Sequence, residues 1–275
     1  MTHQIQFEVP VDTSHFTARQ LQQRTLLSLS WNGYARWLKE HVVSLPRLIK
    51  EYHLGTVIIG AHIDYIAPFT FFDDDSLKVN VEVRPWAGQI LELNVSFCGA
   101  GQNVVQVYIL LYPVAIQEHQ TLAAVPTRIP KELLPKFHPD EDDLSRSVPN
   151  LEIPELVQQV EQTGRLLMKE GGTFTIHNHL IEVAEQWAFI ETPGIVQAIR
   201  EPLILTRLEK TPALSRALSQ PMQSFRAEFH HPYYVFDQGQ VETKAYLWQD
   251  KLAFIHRLFS EYYGQELHGT IVEQF

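Results

Sequence analysis

The chain has 275 residues and a formal net charge of -10 at pH 7, with 45% apolar and 20% charged residues. These values are typical of a globular protein, and they exclude a fibrous or low-complexity chain. The negative charge argues against nucleic acid or an anionic membrane as the main partner, because both bind basic surfaces. A single cysteine, Cys98, excludes an internal disulfide framework. No stretch approaches the roughly 18 apolar residues of a membrane span, and the chain does not open with a signal-peptide pattern, so we expect a cytoplasmic protein.

The first half of the chain predicts one long helix and several antiparallel strands. A wide apolar face at helical spacing predicts a helix from Thr17 to about Lys50. Alternation of apolar and polar residues predicts strands. The expected strands are residues 4–11, 56–65, 77–83, 91–97 and 104–114. Together they indicate an α+β unit in which the helix lies on one face of the sheet.

The middle of the chain resembles a connector more than a domain. Five X-Pro pairs between residues 125 and 149 and an acidic run at residues 140–143 punctuate it. Residues 155–169 have the pattern of a modest amphipathic helix or strand. We therefore expect a first unit at residues 1–118, a connector at 119–170 and a second unit at 171–275.

The second half repeats the first at a fixed offset. Residues 65–73 and 229–237 share the pattern aromatic-x-x-Pro-aromatic-x-x-Phe-Asp, and the same offset aligns His15 with His179. Self-similarity at a fixed period indicates two copies of one structural unit. Two such copies could pack as a pseudo-dimer around one long sheet.

The segment 177–192 is the best candidate for chemistry. Its apolar residues fall near helical spacing, which predicts a helix that breaks at Pro193 and Gly194. On that helix Glu182 and Glu185 would share one face, and burial of the pair would raise one carboxyl pKa, as suits a general base. The alternative is that these glutamates are solvated and interact with the helix dipole.

Two phrases of the sequence resemble the hot-dog superfamily, and more closely its double hot-dog members, the acyl-ACP thioesterases, within the 4-hydroxybenzoyl-CoA thioesterase-like group. One is the proline-rich segment 112–132, which contains Ile-Pro-Lys-Glu, and the other is the segment 176–182. In the second phrase His179 aligns with the family histidine, and His177 or Asn178 takes the family asparagine position. Glu191 falls where the family has a later glutamate. The resemblance implies a tandem hot-dog, in which each long helix is wrapped by an antiparallel sheet.

The same resemblance implies a thioesterase that hydrolyses acyl-ACP or acyl-CoA in fatty-acid or polyketide metabolism. Amides at the start of the second helix would polarise the thioester, and a glutamate would activate water. The candidate catalytic residues are His177, Asn178, His179, Glu182, Glu185 and Glu191. The candidate substrate-binding residues are His15, Arg19 and Arg24. No metal or other cofactor is expected, since no histidine or cysteine spacing typical of a metal site is present.

Two other interpretations stay open. One is a different hot-dog enzyme, such as a dehydratase or an acyltransferase/decarboxylase of a polyketide pathway. The other is a non-catalytic protein that binds acyl thioesters, because Ile181 and Glu182 replace an asparagine pair of the family motif. In each case the expected partner is acyl-CoA or an acyl carrier protein. The sequence leaves the oligomeric state open, a homodimer included.

Overall fold

The computed structural model describes residues 4–86, 89–118, 122, 124–137, 152–261 and 266–275. The chain divides into two compact units, Met1–Asn150 and Leu151–Phe275. The acidic run predicted at residues 140–143 lies outside the described residues.

The first unit is an antiparallel sheet with a long helix on one face. The sheet order is β1-β3-β4-β5-β2, with the short strand β6 paired to β5. The strands are β1 (Gln4–Pro10), β2 (Leu54–Tyr65), β3 (Ser76–Trp86), β4 (Ile90–Gly99), β5 (Gln102–Ile116) and β6 (Ala124–Pro126). The helices are α1 (Gln23–His41), α2 (Leu45–Tyr52) and α3 (Leu134–Phe137). All five strands expected from alternation are confirmed, within a few residues at their ends.

Every second side chain of β3 lies under α1 and is buried there. Helix α1 approaches this strand closely at Gly33. A Cβ atom built on Gly33 would lie 2.6 Å from Cγ2 of Val81, so only glycine fits without displacement. The buried face of α1 contains Leu26, Leu27, Tyr34, Trp37 and Leu38.

The predicted helix 17–50 is shorter and divided in the structure. Residues 17–20 form a turn in which the hydroxyl of Thr17 accepts the N–H groups of Arg19 and Gln20 at 3.2 Å. A second helix, α2, begins beside Pro46, in the first turn where proline is tolerated. No helix in the described part of the chain has both the length and the apolar character needed to cross a bilayer.

The second unit repeats the first in topology. Its sheet order is β7-β9-β10-β11-β8, which again places the strands first, third, fourth, fifth and second. The strands are β7 (Arg165–Thr175), β8 (Ser224–Phe229), β9 (Gln238–Trp248), β10 (Lys251–Ser260) and β11 (Leu267–Gln274). The helices are α4 (Ile153–Thr163), α5 (Thr192–Arg207) and α6 (Arg216–Ser219). The predicted repeat and the α+β class are confirmed.

The repeated motif has the same local role in both units. Oδ2 of Asp73 accepts the N–H of Thr70 at 2.6 Å, and Oδ2 of Asp237 accepts the N–H of Tyr234 at 2.7 Å. Each aspartate thus closes a tight turn ahead of a strand, as short acidic side chains commonly do.

Helix α4 distinguishes the two units, and it explains why 155–169 is amphipathic. It packs on the sheet face opposite α5, over residues that are apolar or aromatic there: Tyr246, Trp248, Ala253, Ile255 and Val272. By strand register, their counterparts in the first unit are polar: Glu82, Arg84, Asn94, Ser96 and Gln106. These polar residues are only half-buried. The composition of each face therefore follows from whether a helix covers it.

Candidate functional site

The segment before α5, residues 176–191, is a compact loop; we call it the site loop. It contains two 3-10 turns, Asn178–Leu180 and Phe189–Glu191, and a bridge between Ile181 and Trp187. The N–H of Glu182 donates to the carbonyl of Gln186 at 2.9 Å, and Glu185 has a φ of 56°. The predicted helix over 177–192 is therefore wrong. Glu182 and Glu185 lie on a tight turn and share no helix face.

The predicted helix break at Pro193 and Gly194 is the start of α5. Pro193 lies in its first turn, where a missing N–H removes no intrahelical hydrogen bond. Glu191 occupies the N-cap position, and its side chain makes no capping hydrogen bond. The helix of the second unit therefore follows the candidate residues in sequence and does not contain them.

Backbone hydrogen bonds attach the site loop to the turn at residues 230–237, which we call the aromatic turn. The N–H of Phe236 donates to the carbonyl of Ile176 at 2.7 Å, and the N–H of Trp187 donates to that of Tyr233 at 2.8 Å. The N–H of Val235 donates to the carbonyl of Glu185 at 3.2 Å. Backbone hydrogen bonds thus hold together two segments that are far apart in sequence.

Aromatic rings fill the space under this pair of segments. Tyr233 is 0% exposed, and its ring lies 5.4 Å from that of Trp187, 5.2 Å from that of Phe174 and 4.2 Å from that of His268. Oη of Tyr233 and Nε1 of Trp187 are buried, and neither has a hydrogen-bond partner among the described residues. Burial, with the charge of Asp237, raises the pKa of Tyr233, so the hydroxyl keeps its proton. The cluster therefore holds two buried donors that no acceptor among the described residues satisfies.

Neither Trp187 nor Tyr233 was among the candidate residues predicted from the sequence. The available signal was the repeat motif, which places Tyr233 directly after Pro232. The sequence does not reveal that the Tyr233 hydroxyl and the Trp187 indole N–H lack partners.

The polar residues of the site loop are exposed: His177, Asn178, His179, Glu182 and Glu185. The rings of His177 and His179 stack, with centroids 6.0 Å apart and planes 12° apart. Although Glu182 is exposed as a residue, desolvation by the surrounding protein raises the pKa of its carboxyl. A raised pKa increases the basicity of a carboxylate, and so suits it to accept a proton.

The three candidate substrate-binding residues lie in the first unit. His15 ends a 3-10 turn at Thr13–His15, and its carbonyl accepts the N–H of Gln22 at 2.8 Å. Arg19 is exposed in the turn after Phe16, and Arg24 is exposed in the first turn of α1. The corresponding turn of the first unit, residues 17–20, contains no carboxylate. Only the second unit combines a loop of this kind with glutamates.

Metal ligation receives no support from the geometry. Within the ranges that the structure describes, no three side chains of His, Cys, Asp or Glu lie close enough to hold a metal ion. Cys98 lies in β4, where it accepts a hydrogen bond from Nδ2 of Asn80 at 3.6 Å.

Solved structures resemble this chain over nearly its whole length. A Lactobacillus plantarum protein assigned as an oleoyl thioesterase covers 99% of this chain and 96% of its own, with a TM-score of 0.72 at 10% identity. The 12:0-ACP thioesterase from Umbellularia californica covers 99% and 97%, with a TM-score of 0.65 at 11% identity. An acyl-ACP thioesterase from Bacteroides thetaiotaomicron covers 98% and 97%, with a TM-score of 0.62 at 11% identity. The chain has the double hot-dog fold.

No protein-family model and no curated protein matches the sequence. The double hot-dog assignment therefore rests on structure: two copies of one sheet order, each with a long helix, over the full chain. Within this double hot-dog the glutamate-bearing loop occurs in the second copy.

Proposed function

We propose that this double hot-dog protein hydrolyses acyl thioesters, with acyl-ACP or acyl-CoA as substrate and Glu182 as the general base. The observation that carries the proposal is the site loop itself, which holds Glu182 directly before α5 and is hydrogen-bonded to the aromatic turn; desolvation, which raises the pKa of the Glu182 carboxyl, supports it. That loop leads directly into α5 and also carries His177 and His179. Such substrates belong to fatty-acid or polyketide metabolism.

The proposed reaction uses one water molecule. Glu182 takes a proton from the water as its oxygen attacks the thioester carbonyl, which gives a tetrahedral oxyanion. When this intermediate collapses, the carbon–sulfur bond breaks, and the leaving thiolate takes the proton back from Glu182. The products are a free acid and the thiol of the carrier. His179 or Asn178, three or four residues before Glu182, would orient the water.

The oxyanion requires donors at fixed positions. Tyr233 and Trp187 provide an O–H and an N–H that have no partner among the described residues. We propose that one or both donate to the substrate carbonyl oxygen. A buried donor without a partner destabilises the protein by about 1–3 kcal/mol, and a substrate oxyanion would supply the missing acceptor.

The comparisons support the substrate class. The three similar structures belong to proteins whose names include thioesterase, and two of these names include ACP. The proposal that this chain also acts on a carrier-bound acyl group rests on that likeness together with the site loop. His15, Arg19 and Arg24 remain proposed contacts for the phosphates of coenzyme A or phosphopantetheine.

The experiment is turnover of a panel of acyl-CoA and acyl-ACP thioesters of different chain lengths. Free thiol release and the mass of the acyl product are followed together. Equal amounts of thiol and free acid establish hydrolysis, whereas loss of water without thiol release indicates a dehydratase. The matched variants are Glu182→Gln and Glu40→Gln, because Glu40 is an exposed glutamate near the end of α1. Loss of turnover in both variants, or in neither, would contradict the proposed role of Glu182.

A further inference from the structure

A network of four polar side chains lies in the core of the second unit, between α5 and the sheet. Arg200 of α5 donates through an Nη atom to Oε2 of Glu273 on β11. The same oxygen lies 3.1 Å from Nε2 of His256 on β10. Nδ1 of His256 lies 2.9 Å from Oγ1 of Thr243 on β9. None of the four residues is more than 3% exposed. We call them the polar core network.

The charges of this network are settled by its contacts. Burial disfavours a charge on Glu273, but Arg200 and His256 outweigh it and lower the pKa of the carboxyl to about 2. Burial lowers the pKa of His256 by more than Glu273 raises it, so the imidazole is neutral. A neutral ring that donates from Nε2 to Glu273 accepts at Nδ1 from the hydroxyl of Thr243. The result is one buried ion pair with a directional chain of hydrogen bonds attached.

The first unit provides an internal control for this network. Strand register gives its three sheet positions counterparts in the first unit, which are Val79, Phe97 and Val107. All three are 0% exposed. The same sheet therefore folds with an apolar core at these positions. Since apolar replacement of a buried ion pair is commonly neutral or stabilising, the fold by itself gives no reason for the second unit to keep one.

We propose that the polar core network positions α5, and with it the site loop, for the hydrolysis proposed above, on which this inference rests. Arg200 lies about two turns along the helix from Thr192, the residue that follows the site loop. A directional hydrogen bond from Arg200 to a buried carboxylate, itself held by His256, rigidifies the contact between α5 and the sheet. The network occurs in the unit whose loop carries Glu182 and not at the equivalent positions of the other. Its members are positioning residues and take no part in proton transfer.

The first test uses single substitutions of similar volume, Glu273→Gln and Thr243→Val. We expect kcat per folded molecule to fall about 10- to 100-fold with KM within about twofold, because a displaced base slows the reaction and leaves binding intact. The matched control is Glu161→Gln. Glu161 pairs with Lys244 and Arg257 under α4, on the opposite face of the sheet, so its loss should leave kcat unchanged. A folded Glu273→Gln protein with the kcat of wild type would overturn the proposal.

The second test replaces the network with the apolar residues of the first unit: Thr243→Val, His256→Phe and Glu273→Val, together with Arg200→Met. We expect a thermal midpoint at or above that of wild type and a kcat at least about tenfold lower. Retained kcat would overturn the proposal. If this combined variant does not fold, the single variants decide.

A hydrogen-exchange measurement separates this inference from the proposed function. If the wild-type protein hydrolyses no thioester, the proposed function fails, but the positional claim remains testable. Amide exchange across residues 192–199 should be faster in Glu273→Gln than in wild type and unchanged in Glu161→Gln. Equal exchange in wild type and Glu273→Gln would overturn the positional claim whatever the activity.

Discussion

Glu182 shows how one residue can be exposed and still be a strong base candidate. The residue is exposed as a whole, yet nearby protein atoms desolvate its carboxyl and raise the pKa. The base must be ionised to act, so kcat/KM should fall as the pH drops through this raised pKa, above the ordinary value of 4.5 for glutamate. We expect Glu182→Gln to lower kcat about 10²- to 10⁴-fold. A pH–rate profile of both proteins checks this, and an acid limb that persists in a still active variant would contradict it.

Tyr233 carries a second prediction at the residue scale. Its hydroxyl is buried without a partner among the described residues, so Tyr233→Phe should raise the free energy of unfolding by about 1 kcal/mol. The same change should lower kcat about 10²-fold if the hydroxyl donates to the oxyanion. Chemical denaturation and steady-state kinetics provide the two measurements. Tyr34→Phe, in the core of the first unit, is the control and should leave kcat unchanged.

At the scale of the elements, helix packing predicts opposite stability changes when two helical glycines are replaced by alanine. Gly33→Ala places a Cβ 2.6 Å from Val81, and we expect a loss of about 1–3 kcal/mol. Gly194→Ala, in the first turn of α5, meets nothing within 4 Å, and we expect a gain of about 0.5–1 kcal/mol, because alanine loses less backbone entropy than glycine. Urea denaturation of the two variants should show opposite signs. Equal effects would mean that α1 does not approach β3 as described.

The polar core network predicts a pH dependence of stability. His256 is neutral in the folded protein, with its pKa lowered below the ordinary 6.5, so the unfolded chain binds more protons as the pH falls below 6.5. Stability from this group is therefore present above pH 6.5 and is lost as the pH falls below it. We expect His256→Phe to weaken the loss of stability between pH 7.5 and 5. A His256→Phe protein that keeps the wild-type slope would contradict this account.

Glu273 adds a second window at lower pH. Its folded pKa of about 2 lies below the ordinary 4.5, so its contribution is complete above pH 4.5 and is lost as the pH falls toward 2. Because the two pH ranges differ, a measurement of stability against pH distinguishes protonation of His256 from protonation of Glu273, which breaks the ion pair with Arg200.

The strands of the first unit could be predicted because alternation of apolar and polar residues is a local signal of which sheet face is buried, and the sequence repeat indicated the same unit in the second half. The site loop could not, because its shape depends on distant partners. Trp187 donates to the carbonyl of Tyr233, and Val235 donates to that of Glu185, so apolar residues that fall at helical spacing are used in a loop. The Pro193 signal was correctly located, but it marks a helix start and not a helix end. The polar core network could not be predicted from the sequence, because its members come from one helix and three strands that are distant in sequence.

At the scale of the whole molecule, duplication is the main fact. Both units share one sheet order and the same aspartate-closed turn, so differences between them identify what the fold does not require. The second unit alone has the glutamates of the site loop, and it has polar residues where the first has Val79, Phe97 and Val107. We therefore expect one functional site per chain and not two.

Binding stoichiometry tests that expectation. Titration calorimetry with a non-hydrolysable acyl thioether should give one site per chain, and Glu182→Gln should leave the stoichiometry unchanged, because a base contributes to reaction more than to binding. Two equivalent sites per chain would show that the first unit also binds substrate. In that case the turn at residues 17–20 would be a candidate substrate-binding segment even though it lacks a carboxylate.

The most direct test of the central claim is hydrolysis of acyl-ACP by the wild-type protein and by Glu182→Gln, with thiol and free acid measured in the same reaction. Our account predicts equimolar thiol and acid from wild type, and at least about 10²-fold slower release from a variant that is folded and binds the substrate. Wild-type turnover that the substitution leaves unchanged, or a wild-type protein that binds acyl-ACP without releasing thiol, would contradict it.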